Sequence, residues 1–228
     1  MNYLAIDTSR ESLTVAAGSV AAESIKAESV AADKAVNGEN GTGKERKAVR
    51  FLPDCALAHS VVLMDEIEKC LAEAGFDKKD IDVFACAIGP GSFTGIRIGV
   101  ATVKALAYAL GKKVLGVTSF ESLAYNVSDG RKKLAVIDAR HANYYVCGYD
   151  AAGKIELSPR FVAVGELKKL SEEYEIVSDT ETGIAGAIVA DAKDGFIKAV
   201  EVSLGNSSRD VETLVPLYVK KSQAEEEA

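Results

Sequence analysis

The stretch Gly89-Pro90-Gly91-Ser92-Phe93-Thr94-Gly95-Ile96-Arg97-Ile98-Gly99 decides how this chain folds, because it joins a strand pattern to a helix pattern. Residues 81–88 form a largely apolar run that is typical of a buried strand, and residues 93–110 have the periodicity of a helix. A strand, a glycine-rich turn and a helix together often hold phosphate or carboxylate at the helix N-terminus. The same small residues also let a helix pack closely against its neighbours.

The spacing of this turn matches none of the common motifs that share its general plan. A Walker A loop needs Lys after its last glycine, where Ile96 stands here, and a dinucleotide fingerprint needs a third glycine where Thr94 stands. A G-x-S-x-G nucleophile elbow fails on both sides of Ser92. Spacing alone therefore favours close packing over a phosphate cradle.

Composition narrows the class of protein. The chain has 228 residues, of which 48% are apolar, so it can bury one sizeable core or two small ones. Its net charge is −7, and it has no strong basic stripe that would bind nucleic acid. Its four cysteines are widely spaced, which makes a metal cluster or a disulfide framework an unfavoured interpretation. The N-terminus lacks the basic region of a signal peptide. We expect a cytoplasmic protein with no membrane contact.

The order of patterns along the chain predicts strands separated by helices, as in an α/β fold with a mixed or parallel sheet. A polar, glycine-rich segment at residues 31–47 is predicted to be a mobile loop. The other predicted elements are strands at 3–7, 12–17, 20–30, 81–88 and 113–117, and helices at 53–74 and 93–110.

A repeat begins at Leu134. The stretch Leu134-Ala135-Val136-Ile137-Asp138-Ala139-Arg140 resembles Tyr3-Leu4-Ala5-Ile6-Asp7-Thr8-Ser9-Arg10, and each is followed by a second apolar strand. A duplicated domain explains this pattern, and a coincidence of two β-hairpins is the alternative. Asp in such a turn is also common without any chemistry.

Several of these segments resemble one family, the bacterial tRNA threonylcarbamoyladenosine biosynthesis protein TsaB (YeaZ), a paralogue of TsaD. The resemblance rests on Asp7-Thr8-Ser9, His59-Ser60, the quoted glycine run, Gly116-Val117-Thr118-Ser119-Phe120-Glu121-Ser122-Leu123-Ala124, Ile137-Asp138-Ala139-Arg140 and Pro216-Leu217-Tyr218-Val219-Lys220. It implies an α/β fold of two actin-like (ribonuclease H-like) subdomains, each a mixed sheet with flanking helices. We expect them at residues 1–118 and 119–228.

The resemblance also implies a function and partners. It implies a non-catalytic scaffold that works with a TsaD-like transferase and a TsaE-like ATPase to modify the tRNA adenosine beside the anticodon. It implies that the chain contacts tRNA only as part of the complex, and that the chain alone can form a homodimer. No firmly bound cofactor is implied, although ATP or ADP can sit at the partner interface. The residues that match the phosphate-binding turns of the fold, as a vestigial site, are Asp7, Thr8, Ser9 and Asp138.

A metal site is not expected. TsaD-like enzymes carry H-x-x-x-H on their first helix, and here His59 is followed by Leu63 at the second position, which cannot bind a metal. We therefore expect His59 to be a helix-surface or interface residue.

The two long helices carry the predicted partner surface. The first has an apolar stripe through Leu57, Met64, Ile67, Leu71 and Ala74, with Val62 and Glu66 toward its flank. The second is apolar nearly all round, so it is predicted to be buried on two sides, either within its own domain or against helices of a partner. The predicted partner interface consists of Val62, Glu66, Ile98, Ala101, Thr102, Ala105 and Ala109.

Two other functions remain alternatives. An independent actin-fold kinase for a small molecule would need Asp7 or Asp138 as a base and an adenosine pocket, for which the sequence shows only the weak Gly183-Ile184-Ala185-Gly186. A peptidase would need a nucleophile paired with a base, and no spacing in the sequence indicates one.

Overall fold

Over the residues that the structure describes, the chain folds into two five-stranded sheets with helices packed on their faces. The computed structural model describes residues 1–21, 46–127 and 130–220. The predicted loop at 31–47 lies outside these residues apart from Arg46 and Lys47, so the prediction of mobility is not tested there.

The first sheet has the strand order β3-β2-β1-β4-β5. Its strands are β1 (Asn2–Asp7), β2 (Leu13–Ser19), β3 (Lys47–Leu52), β4 (Val83–Gly89) and β5 (Lys113–Thr118). The pairs β1–β2 and β2–β3 are antiparallel, whereas β1–β4 and β4–β5 are parallel. Helices α1 (His59–Ala74) and α2 (Phe93–Leu110) connect the strands and cover one face of this sheet.

The second sheet repeats the same plan, with the order β10-β9-β6-β7-β8. Its strands are β6 (Lys133–Asp138), β7 (Asn143–Tyr149), β8 (Ile155–Ala163), β9 (Glu175–Ser178) and β10 (Ile188–Val189). The first three are again antiparallel neighbours, and β6, β9 and β10 are parallel. The expected duplication and the α/β class with two mixed sheets are therefore confirmed.

Three further helices complete the layers. Helix α3 (Ser119–Ala124) packs on one face of the second sheet through Phe120 and Leu123, and α4 (Val164–Leu170) buries Leu167 on the other face. Helix α5 (Ala192–Ser203) crosses back and covers the free face of the first sheet with Phe196, Ile197 and Val200. The segment after it also returns to the first sheet, where Ser208 bridges Val114.

The structure corrects the predicted elements at four places. Residues 47–52 form the strand β3, which was not predicted, and the first helix begins at His59 rather than at residue 53. The predicted strand at 20–30 lies mostly outside the described residues, and Val20 and Ala21 are not in a strand. The predicted apolar stripe of α1 is buried at Ile67, Leu71 and Ala74 but was wrong at its start, since Met64 is 41% exposed, Leu57 projects fully into solvent, and the buried residue there is Leu63.

Within the described residues, α2 is the one helix whose length and apolar composition would allow it to cross a membrane. The core helix of a folded domain passes the same test, and the inner face of α2 is packed in the first core.

Candidate functional site

The turn after β1 forms a compact polar cluster between the two sheets. The buried carboxylate of Asp7 accepts hydrogen bonds through Oδ1 from the backbone N–H of Ser9 at 2.8 Å and from its hydroxyl at 2.6 Å. Its other oxygen lies 3.5 Å from Nη1 of Arg10. The hydroxyl of Thr8 donates to the carbonyl of Gly95 at 2.7 Å. The polar atoms of the predicted phosphate turn are thus engaged within the chain.

Arg10 reaches from this cluster to the second sheet. Its Nε donates to Oδ2 of Asp179, just after β9, at a distance of 2.6 Å, and both side chains are 17% exposed. Its Nη2 is buried without a hydrogen-bond partner among the described residues. A cation of the chain itself therefore lies between two carboxylates, one from each subdomain. Sequence reasoning missed this contact because 169 positions separate the two residues.

The glycine run packs against the same turn. A Cβ atom added to Gly91 would lie 2.3 Å from the carbonyl oxygen of Ser9, and one added to Gly95 would lie 1.9 Å from that of Thr8. The backbone N–H of Ser92 also donates to the carbonyl of Ser9 at 2.7 Å. The glycines are therefore required for the close approach of α2 to the β1–β2 turn, which is the interpretation that spacing alone favoured.

Asp138 occupies the equivalent position in the second hairpin, yet its environment differs. Its side chain is exposed and accepts a hydrogen bond at 2.7 Å from the backbone N–H of Arg140, within its own turn. Residues 140–142 follow in the left-handed region, with φ of 67°, 55° and 56°. A phosphate-binding role for Asp138 stays a prediction.

The position of His59 corrects the expectation of a surface residue. The His59 ring is buried, and its Nε2 lies 3.2 Å from the carbonyl oxygen of Ser12. Leu63 is buried in the core one turn later. These two positions do not fit a metal, and no group of three potential ligands is found in the part of the chain that the structure describes.

The outer side of α2, together with the exposed Val61 and Met64 of α1, forms a mostly uncharged surface, which we call the α1–α2 face; farther along α1 the exposed side is charged, with Asp65, Glu68, Lys69 and Glu73. On α2, Ala101, Ala105 and Ala109 are exposed, and Ile98 and Thr102 are half-buried. Of the two alternatives for the second side of α2, burial within its own domain is thus wrong, and burial against a partner stays a prediction. The face also includes three exposed side chains that the predicted interface omitted, Val61 at 76%, Met64 at 41% and Tyr108 at 80% exposure.

Two predicted interface residues on α1 have different positions. Val62 is half-buried at the edge of the first core. Glu66 is buried and bridges Arg50 and Lys69, whose hydrogen bonds, that of Lys69 foremost, hold the pKa of its carboxyl below the usual range. Glu66 supports β3 from inside the chain, so placing it on an open partner surface was wrong.

Comparison with known proteins gives consistent matches. The model of the family described as "TsaD: tRNA N6-adenosine threonylcarbamoyltransferase" matches residues 51–183. An uncharacterized protein of Mycobacterium tuberculosis is 36% identical over 95 residues, which are 41% of this chain and 44% of that protein. The tRNA threonylcarbamoyladenosine biosynthesis protein TsaB of Escherichia coli is 31% identical over 98 residues, 42% of each chain. The matched part thus spans less than half the length of these curated relatives.

A solved structure agrees over a greater length. A crystal structure described as "YeaZ from Pseudomonas aeruginosa" has a TM-score of 0.64 at 21% identity, covering 95% of this chain and all of that one (100%). At this identity the likeness establishes the fold alone.

Proposed function

This chain belongs to the family described as TsaD: tRNA N6-adenosine threonylcarbamoyltransferase, and from that premise we propose that it acts in tRNA threonylcarbamoyladenosine biosynthesis as a non-catalytic partner of a TsaD-like transferase. The relatives named TsaB and the solved structures named YeaZ support a TsaB/YeaZ assignment within the family.

The observation that carries the partner role is the α1–α2 face. Exposed apolar patches rimmed by polar residues mark interaction sites on folded proteins. Here the small side chains of Ala101, Ala105 and Ala109 leave room for another helix to approach α2, while Val61 and Tyr108 project beside them. A helix pair of a TsaD-like subunit is the occupant that we propose.

The cleft between the subdomains supports a non-catalytic role over an independent kinase. In this chain Arg10 occupies the space between Asp7 and Asp179, and the hydroxyls of Thr8 and Ser9 donate hydrogen bonds to other groups of the chain. Opening such a cleft for a nucleotide requires these contacts to break. If ATP or ADP takes part, we place it at the interface with the partner.

The residues that a peptidase would use are also unsuited to nucleophilic chemistry. All four cysteines are free and buried, and burial raises the pKa of the Cys70 and Cys147 thiols to about 11. A thiol with so high a pKa is almost wholly protonated at neutral pH and is a poor nucleophile. The ring of His59 contacts the backbone carbonyl of Ser12 and is only 2% exposed to solvent.

The remaining partners follow from the same assignment. We propose that a TsaE-like ATPase joins the pair, that tRNA is met through the complex, and that this takes place in the cytoplasm. The net charge of −7 is consistent with a subunit that does not hold tRNA by itself. A second copy of the chain can use the α1–α2 face when the TsaD-like subunit is missing.

The test is an Ala105→Arg variant mixed with the TsaD-like and TsaE-like subunits of the same genome, tRNA, ATP and the threonylcarbamoyl donor. Ala105 is exposed, so the variant should fold, yet a long cation at the centre of a helical interface should weaken binding about a hundredfold, or about 2.8 kcal/mol. Ala152→Arg, in an exposed turn of the second subdomain, is the matched control. Unchanged binding and full modification activity in the Ala105 variant would refute the proposed surface.

A further inference from the structure

One arginine at the start of α2 is held in a fixed position by two aromatic rings. The guanidinium carbon of Arg97 lies 3.6 Å from the ring centroid of Phe93 and 5.8 Å from that of Tyr218. Its Nε donates to the hydroxyl of Tyr218 at 2.9 Å, and the two rings lie 5.2 Å apart. Tyr218 belongs to the near-terminal Pro216-Leu217-Tyr218-Val219-Lys220 segment that the sequence analysis singled out.

The outer edge of this guanidinium makes no ion pair or hydrogen bond with the described residues. Among the described residues, no carboxylate lies within ion-pair distance of Arg97, and its two terminal nitrogens have no hydrogen-bond partner. The other cation of α2, Lys104, is already paired with Glu212 at 3.2 Å. The side chain of Arg97 is exposed, as are Phe93 at 43% and Tyr218 at 44%. The arrangement therefore presents a charged, pre-ordered fork to a molecule outside the chain.

This cluster is continuous with the α1–α2 face. Phe93, Arg97, Ala101, Ala105 and Ala109 follow one another at intervals of four residues, so they form one ridge along α2. All five are exposed. A helix laid along the small residues of this ridge would meet Arg97 at one end.

We propose that Arg97 is the anchor of the partner interface and donates two parallel hydrogen bonds to a carboxylate of the TsaD-like subunit. This inference rests on the proposed function. Arginine forks match carboxylates in pairs of parallel hydrogen bonds, and arginine and tyrosine are enriched among residues that dominate binding energy. Because Phe93 and Tyr218 already hold the side chain, little rotamer freedom is lost on binding.

Charge complementarity favours a different protein over a second copy or a nucleic acid. Helix α2 contains no Asp or Glu, so in an α2-to-α2 contact between two copies each Arg97 would lie against a helix that lacks a carboxylate, and a second copy could supply one only from α1, through the exposed Asp65, Glu68 or Glu73. A nucleic acid would suit the cation and the rings, yet it gains nothing from the uncharged ridge of alanines beside them. The partner should therefore carry an acidic residue at the end of an apolar helix.

The experiment measures the affinity of the full chain for the TsaD-like subunit by isothermal titration calorimetry at about 50 mM and 300 mM salt. The variants are Arg97→Gln, Arg97→Lys and Tyr218→Phe, with Lys168→Gln on α4 as the control in the other subdomain. Arg97→Gln should weaken binding between about tenfold and a hundredfold, and Arg97→Lys nearly as much because an ammonium lacks the fork. Tyr218→Phe should weaken it a few-fold, Lys168→Gln less than about twofold, and added salt should weaken the native chain more than Arg97→Gln.

The outcomes separate this inference from the proposed function. If Ala105→Arg abolishes binding while Arg97→Gln or Arg97→Lys binds like the native chain, the interface stands and the anchor is refuted. If the native chain does not bind the TsaD-like subunit at all, both fail. Loss of self-association or of tRNA binding in Arg97→Gln, with unchanged affinity for the TsaD-like subunit, would assign the residue to a different ligand and overturn the inference.

Discussion

The contact between Arg10 and Asp179 predicts a measurable coupling between the two subdomains. The test compares the native chain with Arg10→Met, Asp179→Ala and the double variant. Exposed ion pairs contribute about 0.2–1 kcal/mol, whereas removing one partner of a buried pair costs about 3–5 kcal/mol. With both side chains 17% exposed and an N···O distance of 2.6 Å, this pair lies between those limits. We expect a coupling free energy of about 1–2 kcal/mol.

The two single variants should differ in cost. Asp179→Ala leaves the guanidinium with only Asp7 at 3.5 Å and a long contact to Ser9, while its Nη2 already lacks a partner among the described residues, so we expect a loss of about 2–3 kcal/mol. Arg10→Met should cost less, about 1–2 kcal/mol, because the carboxylate of Asp7 keeps both hydrogen bonds from Ser9.

The assay is urea unfolding followed by far-UV circular dichroism, since the chain has no tryptophan to report by fluorescence. The control cycle uses Lys132 and Glu156, which have the same 2.6 Å separation but are 40% and 39% exposed, and should couple by less than about 1 kcal/mol. A coupling in the Arg10–Asp179 cycle below about 0.5 kcal/mol, the usual error of additivity, would refute the idea of a bridge between subdomains.

Three further predictions concern the packing around this cluster. Gly95→Ala should destabilise the fold by more than about 3 kcal/mol in thermal melts because its Cβ would strike a backbone oxygen, whereas Gly165→Ala, with open space around it, should be neutral or stabilising. His59→Ala should destabilise the fold by about 1–3 kcal/mol in the same melts, whereas His141→Ala, at an exposed position, should cost almost nothing. Equal melting temperatures of these two variants would contradict the buried position of His59. Because the pKa of Glu66 is lowered in the folded state, its contribution to stability is present above the unfolded pKa of about 4.3 and is lost as pH falls through the lower folded pKa. The free energy of unfolding measured from pH 6 to pH 3 should therefore fall less steeply in Glu66→Gln than in the native chain, and parallel curves would contradict this role of Glu66.

Features that depend on local pattern were predicted well from the sequence. The hairpin repeat, the glycine-rich turn and the helix at 93–110 follow from periodicity and turn chemistry, which act over a few residues. The small-residue side of α2 was also identified correctly as a separate face, because 3.6-residue periodicity sets it apart from the core side.

Features that depend on long-range contacts were not predicted. Strand β3 was missed because it is a short alternating stretch between a polar segment that ends at Lys47 and a predicted helix that begins at Pro53, and it was assigned to no element. Met64 and Leu63 are both apolar and adjacent, and composition cannot tell which of them faces the core. The bridge of Arg10 to Asp179 and the burial of Glu66 beside Arg50 exist only once separate strands have come together.

The crossing of α5 onto the first sheet has a consequence for synthesis on the ribosome. The strands of that sheet are among the first parts of the chain to emerge from the ribosome. The face that carries Tyr3, Ala85 and Leu115 nevertheless stays exposed to solvent until Phe196 and Val200 have been translated. A nascent chain that ends near residue 118 therefore displays a sheet with one uncovered apolar side, which is the kind of surface that chaperones bind. The two halves are consequently a single unit of biogenesis, although their architecture is that of a repeat.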